Sequence, residues 1–249
     1  MPIFTPFSFR NVTPAAAGGT YVTSGLIGYW DANNSTSYPG TGATWYDLSG
    51  NGYDLTIVGS PTFTSGTPSY FDMAGSTGKY ARRAQQQLSE LTENNEYSWF
   101  AAVYLTSFTF NVIFGNNRTA NGGFRLKGQA FGGATGNRFA YQPWDQASNA
   151  YNCYAGASYN AINTWYVIGG YHSWTATNGP CDMYVNGGAA TTTNTSTNKP
   201  TFTETYFYVG GDSSSALFGR IGMCMIYNKK LTASEFTQNF DYFKSTYGY

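Results

Sequence analysis

Charged residues are scarce in this sequence. Asp, Glu, Lys and Arg make up 10% of the 249 residues, with 13 of each sign and a formal net charge of zero, whereas an average soluble domain has about 25%. A surface that binds the phosphate backbone of a nucleic acid or an anionic lipid needs clustered positive charge. We therefore expect neither nucleic acid nor a membrane as a partner.

Long apolar runs are also missing. No stretch approaches the roughly 20 residues that a membrane-spanning helix needs. The first ten residues lack a basic segment followed by an apolar one, so the sequence predicts neither a signal peptide nor a transmembrane segment. Disorder is not expected either, because 41% of the residues are hydrophobic and can build a core.

Cysteine and histidine are few. Cys153, Cys181 and Cys224 contain no Cys-x-x-Cys pair, which argues against a disulfide framework or a zinc site. We expect each to be a small buried hydrophobic residue. The single histidine, His172, lies in an aromatic segment with no obvious acid beside it, which favours a hydrogen-bonded structural role.

Aromatic residues and glycine are plentiful, at 18% of the chain and 30 residues respectively. Residues 26–30 and 55–58 are short β-type segments, and apolar residues alternate from Trp99 to Leu105, as in a half-buried strand. Asn186-Gly187 is typical of a hairpin turn, because both central residues of a type I′ turn need positive φ. The pattern predicts an all-β fold of two antiparallel sheets packed as a sandwich.

The N-terminal segment differs from the rest of the chain. Residues 1–24 have no sustained periodicity and contain three prolines, which predicts an extended arm. Phe4, Phe7 and Phe9 would be costly to leave in water, so we expect them to contact the chain's own domain or a neighbouring subunit. No linker divides the remainder, and residues 25–249 are predicted to form one domain.

Three segments interrupt the series of strands. Residues 85–93 could form a short helix, and the Thr/Asn-rich residues 191–198 are expected to be a surface loop. The C-terminus predicts a clearer helix, because Thr232 and Glu235 make a capping box and Gly248 suits the position after a helix end. Its aromatic stripe, expected to pack on the sandwich, comprises Phe236, Phe240, Phe243 and Tyr247.

Residues 25–72 carry motifs that resemble the opening of laminin-G-like, concanavalin A-like jelly-roll domains. These motifs are Trp30-Asp31, Asn33, Ser37-Tyr38-Pro39-Gly40, Trp45 and Asp47-Leu48-Ser49-Gly50-Asn51-Gly52. Later segments resemble the family's remaining strands in order, at 163–166, 184–187, 207–211, 218–221 and 226–232. The resemblance spans residues 25–247 and implies a jelly-roll sandwich.

The combination of these motifs with a start that lacks a signal peptide and a short aromatic helix is similar to virion proteins of tailed bacteriophages. The resemblance therefore implies a structural protein, either a capsid-associated head decoration or a fibre or appendage subunit. Such a subunit would be assembled in the host cytoplasm and held in the virion by other virion proteins and by copies of itself. The alternative is a lectin-like, carbohydrate-binding module that recognises surface glycans for adhesion or host attachment.

Catalysis is not expected. Jelly-roll glucanases carry Glu-x-Asp-x-x-Glu on one strand, and this triplet is absent. The crowded acids, Glu90, Glu93 and Glu96, lie on the predicted helix or beside it, so the paired carboxylates that glycan hydrolysis needs are not evident. We expect no catalytic residue and no required cofactor.

Two aromatic groups are candidates for contacting a glycan or a protein partner. Trp144 with Tyr141, and Trp174 with Tyr171, lie in polar segments rich in Gly and Asn that could expose ring faces. The alternative is burial in the core or in a subunit interface, because most of so large an aromatic content has to be buried.

The segment 47–52 is a candidate calcium site. Asp47 and Asn51 supply oxygen ligands of the kind that Ca²⁺ prefers, and similar domains sometimes hold structural calcium there. The alternative is that both side chains bond to their own backbone in Asx-type turns. Gly222-Met223 follows Ile221 where relatives often place Asp, so negative charge that would support a cation is missing.

Overall fold

Short strands joined by turns make up most of the chain. The computed structural model describes residues 19–84, 96–116, 123–131, 136–144, 153–156, 158–173, 179–192, 194–196 and 206–249. These residues form two antiparallel sheets, packed face to face, and one C-terminal helix. The predicted all-β jelly-roll sandwich is confirmed. The helix predicted at 85–93 lies outside the described residues.

The first sheet, sheet A, has nine strands within the described residues. Its order is β14-β13-β12-β7-β18-β5-β4, with β1 paired to β18 and β16 paired to β13. The strands are β1 (Leu26–Asp31), β4 (Thr62–Thr64), β5 (Tyr70–Asp72), β7 (Tyr97–Leu105), β12 (Trp165–His172), β13 (Gly179–Val185), β14 (Gly188–Ala189), β16 (Asn194–Ser196) and β18 (Gly219–Tyr227).

The second sheet, sheet B, also has nine strands in the described part of the chain, in the order β15-β11-β10-β9-β8-β17-β6-β3-β2. They are β2 (Thr44–Trp45), β3 (Leu55–Val58), β6 (Tyr80–Ala84), β8 (Asn111–Asn116), β9 (Gly123–Phe131), β10 (Gly136–Trp144), β11 (Cys153–Ala155), β15 (Thr191–Thr192) and β17 (Tyr206–Val209).

The main core lies between the two sheets. The predicted alternation on β7 is confirmed, because Trp99, Ala101, Val103 and Leu105 all face this core and are at most 1% exposed. The strand is not half-buried as predicted, because Phe100 and Ala102 on its other face are buried as well. Aromatic rings span the layer: Trp30 stacks on Phe207 of the opposite sheet, with ring centroids 5.7 Å apart. The aromatic content therefore stabilises the sandwich mainly by the apolar area that it removes from water.

The helix α1 (Ala233–Tyr247) begins and ends as the sequence predicts. Thr232 Oγ1 accepts a hydrogen bond from the Glu235 N–H, while the Glu235 carboxylate accepts one from the Thr232 N–H. Gly248 ends the helix in the left-handed conformation, at φ 72°. Within the described residues, no helix has both the length and the apolar character needed to cross a membrane.

The helix builds a second core on the outer face of sheet A. Phe236 and Phe243 are fully buried there. Phe236 stacks on Tyr184 of β13, with centroids 4.0 Å apart, and also packs against Phe100 of β7. Sheet A is therefore covered on one face by sheet B and over part of the other face by α1.

The last residues of the predicted arm are fastened to this second core. Val22 is buried, and its N–H donates to Asn239 Oδ1 of α1 at 2.8 Å. The Tyr227 hydroxyl donates to the Val22 carbonyl at 2.9 Å and accepts from Asn239 Nδ2 at 3.0 Å. Residues 19–24 thus contact the chain's own domain, whereas Phe4, Phe7 and Phe9 lie outside the described residues.

The segment after β13 contains one confirmed prediction and one error. Asn186 and Gly187 have φ values of 50° and 80° and join β13 to β14, as the hairpin prediction requires. The surface loop expected at 191–198 is wrong for residues 191–192 and 194–196, because they form β15 and β16. These two strands pair with β11 and β13, and such pairing supplies hydrogen bonds that Thr-rich composition does not reveal.

His172 lies in the main core, 1% exposed, beside two tyrosines. The hydroxyls of Tyr97 and Tyr141 contact each other, and each oxygen lies 3.2 Å from Nδ1 of His172. Burial lowers the pKa of His172 from 6.5 to about 4, and burial raises the pKa of both tyrosines. The expected structural histidine is thus a neutral, buried residue. The three cysteines are buried, also as expected.

This burial predicts a pH dependence of stability. Between pH 6.5 and about 4 the unfolded chain binds a proton at His172 that the folded chain does not. The free energy of unfolding should therefore fall as the pH falls through this window, by about 3 kcal/mol from this group. Urea unfolding of the wild type and of His172→Asn at pH 7 and pH 4 measures the difference.

A direct check is available because the chain has one histidine. Its imidazole Hε1 proton gives a single resonance in the NMR spectrum of the folded protein. We expect a titration midpoint near pH 4. A midpoint near 6.5 would contradict the neutral, buried state.

The contacts of Val22 predict where the chain can be shortened. A protein that starts at Gly25 lacks the buried Val22 side chain and two buried hydrogen bonds, so it should be less stable than one that starts at Gly19 by about 3 kcal/mol. Thermal and urea unfolding of the two truncated proteins provide the measurement. Equal stability would show that residues 19–24 contribute nothing to the domain.

Candidate functional site

A row of polar and aromatic side chains crosses the outer face of sheet A. The register places Trp165 of β12 opposite Tyr104 of β7, Tyr104 opposite Arg220 of β18, and Arg220 opposite Asp72 of β5. Directly paired residues of antiparallel strands project from the same face. Their sequence neighbours Val103, Ile221 and Phe71 face the main core, so the row lies on the other side.

Arg220 is the centre of this row. Its guanidinium carbon lies 4.6 Å from the ring centroids of both Tyr70 and Tyr104, and its Nε lies 3.4 Å from Asp72 Oδ2. Trp165 packs against the same two tyrosines, with centroids 5.8 and 5.7 Å away. We call Tyr70, Tyr104, Trp165, Arg220 and Asp72 the aromatic platform.

The platform is open because α1 covers only part of this face. On β7, Phe100 and Ala102 project from the same face as Tyr104 but are buried in the second core. Tyr104 lies beyond them and is half-buried, as are Tyr70, Trp165 and Arg220. Exposed cation–π contacts are worth about 0.5–1 kcal/mol each, so the guanidinium helps to hold the rings in place while their surfaces remain accessible.

A pocket of about 430 Å³ is lined in part by Ser69, the residue before Tyr70 of the platform. Tyr38 and Phe63 supply aromatic walls, with centroids 4.9 Å apart. The hydroxyls of Ser35 and Ser65 are exposed at its edge. Its volume is within the range of small-molecule sites. Its remaining lining residues are Ala32, Asn33, Pro39, Gly40 and Ser69.

Asn33 connects the pocket to the platform. Its Nδ2 donates to the hydroxyl of Tyr249 at 2.7 Å, and the Tyr249 ring packs on Trp165, 5.1 Å between centroids. Asn33 Oδ1 accepts from the Ser69 N–H, and the buried carboxylate of Asp31 accepts from both Asn33 nitrogens at 2.9 Å. Burial raises the pKa of the Asp31 carboxyl. Asp31 thus fixes the amide in one orientation.

The two tyrosines predicted to contact a ligand are buried, which corrects the expectation that they expose their rings. Tyr141 is 0% exposed, projects inward from β10 and stacks on Trp99, 5.6 Å between centroids. Tyr171 is 6% exposed, its hydroxyl donates to Asp182, and Lys230 Nζ lies 4.1 Å above its ring. The core-packing alternative therefore describes both residues.

The two predicted tryptophans lie at the limits of the described chain. Trp144 is the last residue of β10, where it pairs with Gly123 of β9. Nothing in the described structure concerns its side chain. Trp174 lies outside the described residues.

In the loop after β2, Asp47 is a turn residue, whereas the side chain of Asn51 bonds to β1. Asp47 Oδ1 accepts from the N–H groups of Tyr29 and Ser49, both at 2.9 Å, and Oδ2 accepts from the Ser49 hydroxyl and the Tyr53 N–H. The amide of Asn51 donates to a carbonyl of β1. The turn alternative therefore describes Asp47 but not Asn51, and calcium binding stays a prediction. In the described ranges, no group of three or more His, Cys, Asp or Glu could hold a metal.

The sequence contained a weak signal for the platform. Tyr104 continues the outward alternation of Phe100 and Ala102, and Trp165 similarly precedes Val167 on β12. This period predicts that both rings face away from the main core. It does not predict where the helix stops, and that position decides whether an outward ring is buried or open.

Comparison with solved structures gives several matches to the same sandwich. Trypanosoma rangeli sialidase in complex with the inhibitor DANA matches with a TM-score of 0.60 and 18% identity, over 92% of this chain and 34% of the sialidase. The receptor binding domain of botulinum neurotoxin type G matches with a TM-score of 0.59 and 13% identity, over 87% and 51%. The chain thus spans about a third to a half of these two proteins.

Domain 4 of AbnA, a GH43 extracellular arabinanase from Geobacillus stearothermophilus, is similar over almost its whole length. This structure, in complex with arabinotriose, matches with a TM-score of 0.54 and 21% identity, over 86% of this chain and 97% of that one. Identities this low establish a shared fold and no more. A search of curated protein sequences finds no match.

The sequence itself matches one protein family. The matched segment, residues 74–236, is more than half of the chain and runs from just after β5 into α1. It includes β7 and β18, the central strands of sheet A, as well as most of sheet B. The chain therefore belongs to the concanavalin A-like lectin/glucanases superfamily.

Proposed function

We propose that this chain is a carbohydrate-binding domain without catalytic activity and that the aromatic platform is its binding surface. The observation that carries the proposal is the row of half-buried rings of Tyr70, Tyr104 and Trp165 around the Arg220–Asp72 pair. Aromatic residues give a large, rigid contact area at low cost in conformational entropy.

Sugars match this surface chemically. The faces of a pyranose or furanose ring carry C–H groups, which pack on aromatic rings, and its edges carry hydroxyl groups. Arg220 can donate to sugar oxygens, and Asp72 can accept from sugar hydroxyls. Thr62, opposite Asp72 on β4, adds an exposed hydroxyl to the same row. A glycan would thus find both stacking and hydrogen bonding on one face.

The adjoining pocket supports a ligand longer than one sugar. Its walls again combine aromatic rings, Tyr38 and Phe63, with hydroxyl and amide groups. Asn33, held by Asp31 and Ser69, is preorganised, and preorganised groups lose less entropy on binding. We expect one sugar to stack on the platform and a neighbouring one to enter the pocket.

The names of similar proteins agree with this proposal. The family is named for lectins and glucanases, and the arabinanase domain was solved with arabinotriose. Those facts concern the other proteins. They raise the expectation that a sandwich of this kind, with open aromatic rings, binds a glycan.

The absence of catalysis is part of the proposal. The platform offers one carboxylate, Asp72, which Arg220 neutralises. Glycoside hydrolysis by the usual mechanism needs two carboxyl groups on opposite sides of the scissile bond. We therefore expect no release of reducing sugar from any glycan that the domain binds.

The test is a glycan array followed by calorimetry with the neutral oligosaccharide that binds most tightly. Replacing Trp165 by Ala removes the largest ring of the platform and should weaken binding by about tenfold or more. Tyr46→Ala is the matched control, because Tyr46 is an exposed aromatic residue, 45% accessible, outside the platform and the pocket. It should bind as the wild type does.

Two outcomes would overturn the proposal. The first is the absence of binding to every glycan on the array by a protein with a normal unfolding transition. The second is equal affinity of Trp165→Ala and the wild type. Hydrolysis of a bound glycan would contradict the part of the proposal that the domain has no catalytic activity.

A virion role is the second proposal. The chain would be a bacteriophage structural subunit, a head decoration or an appendage, held by other virion proteins and by copies of itself through its arm. The observation that favours it is the attachment of residues 19–24 to α1 through Val22 and Asn239. Because this attachment holds the segment on the domain, the preceding residues can act as a tether that links the domain to another virion protein. Glycan binding could then serve host attachment.

Removing residues 1–18 tests the tether without disturbing the Val22 contacts. We expect the shortened protein to keep its glycan affinity and to fail to join particles assembled in the host. Gel analysis of purified particles measures incorporation against the full-length chain. Normal incorporation of the shortened protein would contradict the tether.

A further inference from the structure

The side chain of Tyr249 lies between the aromatic platform and the pocket. Its ring packs on Trp165 of the platform, with centroids 5.1 Å apart, and its hydroxyl accepts a hydrogen bond from Asn33 Nδ2 of the pocket at 2.7 Å. Trp165 and Asn33 belong to the two surfaces that we expect to bind neighbouring sugars. The ring of Tyr249 therefore occupies the space through which one ligand would pass from the platform to the pocket.

Gly222 of β18 makes room for this ring. A Cβ atom built on Gly222 would lie 2.0 Å from the Tyr249 hydroxyl oxygen and 2.9 Å from the ring carbon that carries it, so a larger residue would exclude the hydroxyl. Gly222 is not among the glycines with positive φ, so its backbone conformation does not require glycine. We call the space between Trp165, Asn33 and Gly222 the Tyr249 subsite.

The Asn33 amide is held in position independently of Tyr249. Its Nδ2 donates one hydrogen to Asp31 Oδ1 at 2.9 Å, and its Oδ1 accepts from the Ser69 N–H at 2.6 Å. The second hydrogen of Nδ2 is the one that the Tyr249 hydroxyl accepts. When the Tyr249 ring moves away, this N–H therefore points into the vacated space and can donate to another hydroxyl oxygen.

Tyr249 is joined to α1 by a residue that can change conformation. Gly248 ends the helix at φ 72°, and a Cβ atom built on it would meet no atom within 4 Å. The last hydrogen bond of the helix joins the Gly248 N–H to the Lys244 carbonyl, so Tyr249 lies beyond it. Because glycine adopts many backbone conformations, rotation at Gly248 can withdraw the ring from the subsite while α1 stays packed.

The contacts of Tyr249 are those that a sugar would make. A phenol ring and a pyranose chair are both six-membered rings, and an equatorial hydroxyl extends from the sugar as the hydroxyl extends from tyrosine. The C–H face of a pyranose packs on an indole ring in place of the phenol ring, and its hydroxyl oxygen accepts from the amide of Asn33. The subsite thus fits a pyranose in shape and in hydrogen bonding.

The charge beside the subsite favours a neutral sugar. The buried carboxylate of Asp31 accepts from the Tyr29 hydroxyl at 2.8 Å and from Asn33, and none of the ion pairs among the described residues includes it. Burial and then the charge of Asp31 raise the pKa of the Tyr249 hydroxyl, which therefore stays neutral. A carboxylate or sulfate on a sugar in the same place would be repelled by Asp31.

We propose that the Tyr249 subsite binds a neutral pyranose and that the Tyr249 side chain closes it in the absence of a glycan. This inference rests on the proposed function. The sugar that stacks on Trp165 takes the place of the Tyr249 ring, its hydroxyl accepts from Asn33, and the next sugar enters the pocket. Because a glycan binds in this way only when the ring has withdrawn, Tyr249 lowers the apparent affinity by the fraction of open molecules.

The test compares full-length variants on a glycan array and then by calorimetry with the neutral oligosaccharide that Tyr249→Ala binds most tightly. Tyr249→Ala removes the competing ring and should bind about tenfold more tightly than the wild type. Tyr249→Phe keeps the packing on Trp165 but loses the bond to Asn33, so it should bind about threefold more tightly. Tyr46→Ala, which loses an exposed ring elsewhere, is the matched control and should bind as the wild type does.

Gly222 provides a test of whether the sugar enters the same space. In the Tyr249→Ala protein, Gly222→Ala places a methyl group within about 2.0 Å of the position of the lost hydroxyl, so it should abolish the gain in affinity. The side-chain amide signals of Asn33 in a ¹⁵N NMR spectrum should shift when the oligosaccharide binds. Oligogalacturonate, which carries a carboxylate on every unit, should gain no affinity from Tyr249→Ala.

Three results would overturn the inference and leave the proposed function standing. One is equal or weaker binding by Tyr249→Ala in a protein with a normal unfolding transition, which would make Tyr249 a purely structural residue. Another is a gain that persists after Gly222→Ala or that leaves the Asn33 signals unmoved. The third is an equal gain with oligogalacturonate, which would contradict the neutral class of sugar.

The remaining outcomes separate the inference from the proposed function. If neither the wild type nor Tyr249→Ala binds any glycan, both are overturned. Binding by Tyr249→Ala alone would support the inference, because Tyr249 would then close the site completely, although it would overturn glycan binding by the wild-type chain.

Discussion

The packing of α1 against the outer face of sheet A decides which aromatic residues form core and which form surface. Phe236 and Phe243 bury the part of the face that holds Phe100 and Tyr184. The capping box at Thr232 and the left-handed Gly248 fix the length of the helix. The rings beyond it, Tyr104 and Trp165, project from the same strands and stay half-buried. The outer face of sheet A therefore contains both the second core and the candidate binding surface.

Local patterns in the sequence predicted much of the fold. The alternation on β7, the Asn186-Gly187 hairpin and the helix caps depend on contacts between near neighbours, so they could be predicted without a tertiary structure. The motifs around Asp31 and Asp47 resembled those of the family, although the matched segment, residues 74–236, begins after them. Both carboxylates fix their loops by accepting from nearby backbone N–H groups. Residues 191–192 and 194–196 were missed as strands, because other segments of the chain separate them from their pairing partners, β11 and β13.

The binding surface was harder to predict. Polar neighbours made Tyr141 and Tyr171 look exposed, but strand register turns Tyr141 inward, and Asp182 and Lys230 enclose Tyr171. Trp165 and Tyr104 looked like ordinary strand residues. Their exposure depends on the extent of the helix, and Arg220 meets their rings only through pairing of β18 with β7. Both are tertiary properties that the composition of a segment does not contain.

The central claim is that Trp165 contacts the ligand. The chain has six tryptophans, and their indole N–H signals can be followed separately in a ¹⁵N NMR spectrum during titration with the neutral oligosaccharide that binds most tightly. The account predicts a large shift of the Trp165 signal, while those of Trp30, Trp45 and Trp99, which are buried between the sheets, stay in place. Saturable binding that leaves the Trp165 signal unmoved would contradict it.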